Sequence, residues 1–220
     1  MYDLAVVLFD LDGVLVDTIS PLKQTYLDVA RYLGIKPPTR EALNKAVQVG
    51  PQKALKELFG EDDGKAEAAF NRYWRANINS VSCFAGITEL LRALSSLEVI
   101  LGTVTSRNSP GTFSLLDVAG IRTYMQTIVT WGHYRTPKPS PLCLIVALNK
   151  AGKPRDKAAY VGDQAVDMLA AKSAGVLAVG ATWDANASRE DLIKAGADVI
   201  AKEPKEILEL VRASKVSNSG

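Results

Sequence analysis

Cysteine and histidine are nearly missing from this chain: Cys83, Cys143 and His133 are all it has in 220 residues. Two cysteines in unrelated contexts exclude a disulfide framework, and the sequence has no CxxC pair and no Cys/His metal cluster. Long apolar runs are missing too. The first one, Ala5 to Phe9, is too short for a signal h-region, and nothing approaches the ~18 apolar residues of a membrane span. Nor is there a surplus of one charge. The 26 basic and 24 acidic residues leave +2. The basic ones form no run and do not interleave with aromatics, so no nucleic-acid footprint is visible. These absences predict a soluble protein of a reducing cytoplasm, with neither membrane nor nucleic acid as a partner.

What is present, 47% hydrophobic and 23% charged residues, suits a globular chain with a substantial core. Short apolar runs recur at Ala5 to Phe9, Val99 to Val104, Met125 to Val129, Ala158 to Val161, Val176 to Val179 and Ala197 to Ile200. They do not alternate with polar residues, as expected for parallel strands covered on both faces. Helical patterns lie between them, such as Ile87, Leu90, Leu91, Leu94 and Leu97. The fold class is therefore α/β, a Rossmann-like doubly wound parallel sheet. One interval has no strand. Residues 18–82 carry helical patterns such as Ala66, Ala69, Phe70, Tyr73 and Trp74, broken at "GIKPPTR", "VGPQ" and "FGEDDGK" into about four helices. This predicts an all-helical domain at 18–82 inserted into a core of 1–17 and 83–220. The tail "ASKVSNSG" is expected to fray.

Ligands of open α/β sheets bind beyond the carboxyl ends of the strands. Strand one ends in Asp10 and Asp12, with Gly13 turning the chain just after; strand two in Thr105 and Ser106; strand three is followed by Lys138; strand four ends in Asp163, with Asp167 beyond it. Four clustered carboxylates repel one another unless a cation sits among them. Oxygen-only donors without His or Cys indicate a hard ion, Mg2+ by preference. One carboxylate facing a ligand can then act as a nucleophile, with Lys138, Thr105 and backbone N–H groups suited to phosphoryl oxygens. Singly, each feature has an ordinary structural reading: a solvated turn for DxD, a loop lysine, a threonine cap, a first-turn aspartate. Together and in this order they point to phosphoryl transfer.

The same four motifs, "DLDG", "VTSRN", "TPKPSP" and "VGDQAVD", resemble those of the haloacid dehalogenase-like hydrolase superfamily, in its phosphoglycolate phosphatase-like branch with a helical cap. "AGITELLRAL" and "GATWD" extend the likeness over most of the chain. The resemblance implies that Asp10 attacks phosphorus and forms an aspartyl-phosphate, while Asp12 protonates the leaving alkoxide and later deprotonates water. It implies Mg2+ held by the Asp10 side chain, the Asp12 backbone carbonyl and Asp163, with Asp167 in or just behind that shell. Thr105, Lys138 and the Ser106 backbone would hold the phosphoryl oxygens, and the substrate would be a small phosphorylated metabolite. Arg107 reads either as a ligand for a substrate carboxylate or as an exposed arginine at a helix start. Gly50 and Gln52, with Lys53, resemble the specificity loop of such caps, or else form a plain inter-helix turn.

Some positions depart from the family pattern. Leu142 stands where many relatives have Asp and is expected only to open a helix. Gln164 and Asp184 replace a common Ser and Gly, with a bearing on specificity. Asp17 reads as structural or hinge-like, His133 as structural or surface, and Cys143 as core. The second aspartate, Asp12, argues against dehalogenases, and the absence of an early cap histidine against sugar-phosphate mutases. A pyrophosphatase or phosphomutase on the same scaffold remains the alternative. A phospho-acceptor signalling module is disfavoured by the chain's length and its helical insert. Oligomeric state cannot be read from one sequence.

Overall fold

The computed structural model describes residues 3–47, 49–60 and 64–216. In chain order the elements begin with β1 (Val6–Phe9), β2 (Val16–Asp17), α1 (Ile19–Tyr32), α2 (Arg40–Ala46), α3 (Pro51–Phe59), α4 (Lys65–Asn77) and β3 (Ser82–Cys83). They continue with α5 (Ile87–Ser95), β4 (Ile100–Asn108), α6 (Ser109–Val118), β5 (Thr127–Trp131), α7 (Leu142–Ala151) and β6 (Ala158–Gly162). The last are α8 (Ala165–Ala174), β7 (Leu177–Ala181), α9 (Arg189–Lys194), β8 (Val199–Ala201) and α10 (Pro204–Val216). The chain divides into two compact units, one of residues 1–16 and 83–220 and the other of 17–82.

The larger unit holds a six-stranded sheet in the order β5-β4-β1-β6-β7-β8, with every pairing parallel. All six apolar runs became its strands, shifted by a residue or two. They read as unbroken apolar sequence because helices cover both faces: β1, β6 and β7 are buried at every position. The chain builds β1, then β4 and β5 to one side, and returns to place β6 on the other. This reversal at β1 opens the crevice where such sheets take ligands. β4 runs further than its apolar stretch, through Thr105, Ser106 and Arg107 to Asn108, after a register shift beyond Val104. The helix-start reading of Arg107 is thereby corrected: α6 begins at Ser109, capped by the Asn108 side chain, which accepts from the Gly111 N–H. Leu142 opens α7 as expected. Cys143 is fully buried in the core. Leu97 lies just past α5, outside the helix.

Among the described residues the smaller unit holds four α-helices packed around Tyr26, Val29, Leu43, Leu55 and Phe70, with the Tyr26 and Phe70 rings 5.5 Å apart. The expected breaks fall where proline and glycine interrupt helical backbone. Thr39 caps α2 by accepting from the Ala42 N–H, and Gly50, with φ +78, precedes Pro51 at the start of α3. Of "FGEDDGK", positions 61–63 lie outside the described residues. Asp17 accepts from the Ser20 N–H at the start of α1, a structural task. The tail corrects its expectation in part: α10 continues through Ala213 to Val216, because Ser214 is buried and accepts from the Leu4 N–H at 3.2 Å. Residues 217–220 lie outside the described residues.

Packing between neighbouring strands leaves no room at Gly102. A Cβ there would stand 2.7 Å from the Thr127 carbonyl oxygen and 2.9 Å from Leu8 Cδ2. Gly102→Ala is expected to destabilise the protein by about 1–3 kcal/mol, the range for overpacking a filled core. Urea denaturation reads this as a lower midpoint with an unchanged slope.

Candidate active site

The site lies at the carboxyl ends of β4, β1 and β6, where the chain leaves the sheet. Asp10 follows β1, is 8% exposed, and accepts the Leu11 N–H on Oδ1 at 2.7 Å. Its Oδ2 takes the Lys138 ammonium at 2.8 Å. Lys138, from the loop between β5 and α7, also reaches Asp167 Oδ1 at 2.6 Å and the Tyr160 hydroxyl at 3.0 Å. Its side chain is only 5% exposed, and that of Asp167 only 1%. The ammonium is thus taken out of water between two carboxylates. Burial disfavours its charge, yet Asp10 and Asp167 outweigh burial and hold its pKa well above the usual lysine range.

Asp167 stands in the first turn of α8 with both oxygens engaged. Oδ2 accepts the Gln164 N–H at 3.0 Å in a capping box, while Oδ1 takes Lys138 and, at 3.3 Å, the Tyr160 hydroxyl. Gln164 therefore caps the helix that carries Asp167. Gly162 is required by the same closeness, since a Cβ there would stand 2.6 Å from Asp167 Cγ.

Asp163 differs in kind. Its Oδ1 is buried and, among the described residues, has no hydrogen-bond partner. Gly13, with φ +76, lies so close that a Cβ there would meet Asp163 Oδ2 and stand 2.8 Å from its Cγ. The glycine after DxD thus serves two needs, a left-handed turn and the approach of an acid from β6. Oxygens of Asp10, Asp163 and Asp167 lie within 4.8 Å of one another. Burial, and then the charges of Asp10 and Asp167, raise the Asp163 carboxyl from 3.8 to about 9, with Lys138 opposing. Asp10 rises to about 7, driven by burial, opposed first by Lys138 and then reinforced by Asp167. A buried carboxylate oxygen with no donor facing it, in an oxygen-only cluster, is what a hard divalent cation satisfies. The donor set fits such an ion, and Asp10 and Asp163 are the carboxylates that would hold it.

Asp12 takes another course. Its carboxylate is not part of the three-acid cluster; it is bridged by Arg107, whose Nε lies 3.0 Å from Oδ1 and 2.7 Å from Oδ2. Arg107 thus meets a carboxylate of its own chain. Thr105 is buried, accepting the Arg107 N–H on its hydroxyl at 3.2 Å, and its carbonyl accepts the Tyr134 hydroxyl at 3.1 Å. Ser106, next along β4, has an exposed side chain. Of the residues picked from sequence, Asp10, Asp12, Thr105, Arg107, Lys138, Asp163 and Asp167 form connected or adjoining contacts. Gly50 and Gln52 belong to the helical unit, exposed at the start of α3.

Tyr160 and Tyr134 were not picked out. Tyr160 is fully buried and its hydroxyl meets the Val104 carbonyl, Asp167 and Lys138 together. The available signal was a phenol inside an otherwise small, apolar strand, since a buried hydroxyl demands partners. His133 is structural, its Nδ1 accepting the Thr130 N–H at 3.1 Å. Asp184 is also buried, with Oδ1 accepting from the N–H and the side-chain amide of Asn186. Beside it the Trp183 indole donates to the Val14 carbonyl at 2.9 Å, tying the loop after β7 to the segment that follows DxDG.

Comparison with known proteins identifies the family. The family model for haloacid dehalogenase-like hydrolases matches residues 7–181. A phosphoglycolate phosphatase of Pseudomonas fluorescens is 31% identical over 193 residues, which is 83% of this chain and 71% of the relative. One from Xanthomonas campestris is 28% identical over 208 residues, covering 92% and 94%. Among solved structures, a candidate β-phosphoglucomutase of Thermotoga maritima superposes with a TM-score of 0.86 at 24% identity, over 96% of this chain and 99% of the other. A haloacid dehalogenase-like family hydrolase of Streptococcus pneumoniae gives 0.74 at 24%, over 94% and 98%. At such identities the solved structures bear on the fold alone.

Two outcomes follow. The folded, metal-free protein keeps protons on Asp163 and Asp10 that the unfolded chain releases near pH 4. That stability is complete below pH 4 and is lost as pH rises through about 7 for Asp10 and about 9 for Asp163. In chelator, the melting temperature should fall from pH 5 to pH 9. Added MgCl2 should raise it most at the alkaline end, and Asp163→Asn should flatten both effects; a pH-independent gain from MgCl2 would contradict the assignment. Tyr160→Phe leaves the Val104 carbonyl and the lysine each short of one partner, and should cost about 1–3 kcal/mol in urea denaturation.

Proposed function

The chain belongs to the haloacid dehalogenase-like hydrolase family, and from that premise we propose that it is a Mg2+-dependent phosphatase of small phosphorylated metabolites such as phosphoglycolate, working through an aspartyl-phosphate. The observation that carries this reading is the placement of the Asp10 carboxylate between the buried Lys138 ammonium and the partnerless oxygen of Asp163. Lys138 holds one oxygen of the nucleophile and is placed to neutralise the phosphoryl group that Asp10 attacks. Mg2+ would be held by the Asp10 side chain, the Asp12 backbone carbonyl and Asp163, where it supplies positive charge to the carboxylates and to the phosphoryl oxygens. Asp167, with its oxygens engaged, acts through Lys138. Thr105 and the Ser106 backbone complete the cradle for the phosphoryl oxygens.

In the first step an Asp10 oxygen bonds to phosphorus, the ester P–O bond breaks, and the departing alkoxide takes a proton from Asp12. In the second, water attacks the same phosphorus and gives its proton to Asp12, while the bond to Asp10 breaks and inorganic phosphate leaves. The helical unit serves as a cap in this proposal, with Gly50 and Gln52 at its specificity loop, and its closure excludes bulk water from the acyl phosphate. The relatives named phosphoglycolate phosphatase support the substrate class.

Purified protein should release phosphate from p-nitrophenyl phosphate and phosphoglycolate with MgCl2 and not in chelator. Asp10→Asn should lower kcat by roughly a thousandfold or more, as expected when a nucleophile is removed. Activity that survives either change would sink the mechanism. Pyrophosphate and hexose phosphates assayed alongside separate the alternatives, because a mutase needs a sugar bisphosphate and frees little phosphate.

A further inference from the structure

The bridge between Arg107 and Asp12 sets a condition that the mechanism above does not contain. Arg107 Nε lies 3.0 and 2.7 Å from the two oxygens of Asp12, the residue that must meet the leaving oxygen. The pair joins positions 95 apart in sequence, from the end of β4 and from the loop after β1. Both side chains are only partly exposed, at 30% and 29%, so the contact is shielded from full screening yet open to an arriving ligand. A guanidinium pairs with carboxylates in a planar fork and serves any carboxylate of the right geometry. While its Nε spans both Asp12 oxygens, the carboxylate that must exchange a proton is held by a cation instead of facing the leaving group.

Resting on the phosphatase reading, we propose that Arg107 is a positioning residue with two partners: it holds Asp12 until substrate arrives, then transfers to a carboxylate borne by the leaving alcohol. One carboxylate replaces another at the guanidinium, so the cation stays paired, and the released Asp12 carboxylate takes up from water the proton that it then gives to the ester oxygen. The exchange releases Asp12 to face the ester oxygen only when the leaving group carries the anion. The site thereby discriminates for phosphoesters of short hydroxy acids and against neutral alkyl esters. Specificity built on a charged hydrogen bond is sensitive to its removal, since the unmatched ligand leaves the cation and Asp12 locked together.

The test compares phosphoglycolate with propyl phosphate in wild type, Arg107→Gln and Arg107→Lys. Wild type should prefer phosphoglycolate, and Arg107→Gln should shrink the ratio of the two kcat/KM values by about 10- to 100-fold, the worth of a charge-assisted hydrogen bond. Arg107→Lys, which keeps the charge without the fork, should restore part of the ratio. Binding is read separately by calorimetry, with the unreactive 3-phosphonopropionate against propylphosphonate. Arg107→Gln should weaken the first by about tenfold or more and leave the difference between the two ligands abolished. An equal loss of kcat on both esters, with the ratio and the binding difference intact, would reduce Arg107 to a fixed partner of Asp12 and overturn the exchange. So would a wild type that binds both phosphonates alike. A protein that discriminates between the phosphonates but hydrolyses no ester would instead refute the phosphatase reading, which p-nitrophenyl phosphate tests independently.

Discussion

The site depends on one buried ammonium. Lys138 lies between Asp10 and Asp167 and leans on the Tyr160 hydroxyl, and its removal would leave two carboxylates facing each other inside the protein. That charge opposes the burial that raises Asp10 and Asp163, and the ammonium engages Asp167 at 2.6 Å. The surroundings are arranged to keep the lysine in place. Tyr160 is anchored to the Val104 carbonyl, Asp167 is fixed by the capping box of α8, and Gly162 leaves the space in which that aspartate sits.

Lysine alone does not balance the cluster. Three carboxylates share the space and one ammonium answers two of them, so Asp163 is left with a buried oxygen that nothing in the described residues satisfies. The two acids engaged by Lys138 and the one that is not therefore divide the work of the site. Asp10 is held and oriented, Asp167 is saturated, and Asp163 is available. A cationic side chain beside a carboxylate oxygen that lacks a donor suits phosphoryl chemistry, which asks a protein for positioning and charge.

The sheet was legible because its strands are covered on both faces, which leaves unbroken apolar runs in the sequence. The four aspartates, the threonine and the lysine were legible because they stand where those runs stop. What was hidden is mostly polar and long-range. The last residues of β4 look like a loop, yet Asn108 still pairs with Trp131 after the register shift. The partnership of Arg107 with Asp12 joins distant segments and leaves no local pattern. Tyr160 reads as one more strand residue until its hydroxyl is placed. The polar end of α10 reads as a fraying tail, although Ser214 ties it to Leu4. Patterning reveals which surface of an element is dry; it does not reveal which polar groups will meet across it.

The position of β1 in the sheet also governs how the protein is made. Of the six strands β1 comes first in sequence, but its neighbours on the two sides are β4 and β6, and the second of these ends only at Gly162. Until β6 has been synthesised, a fully apolar strand waits with an unpaired edge, and Asp10 at its end lacks Asp163 and Asp167. A chain that stops short of β6 therefore offers an edge of β1 to stray strand pairing, the hazard of sheets whose central strands pair over long sequence separations.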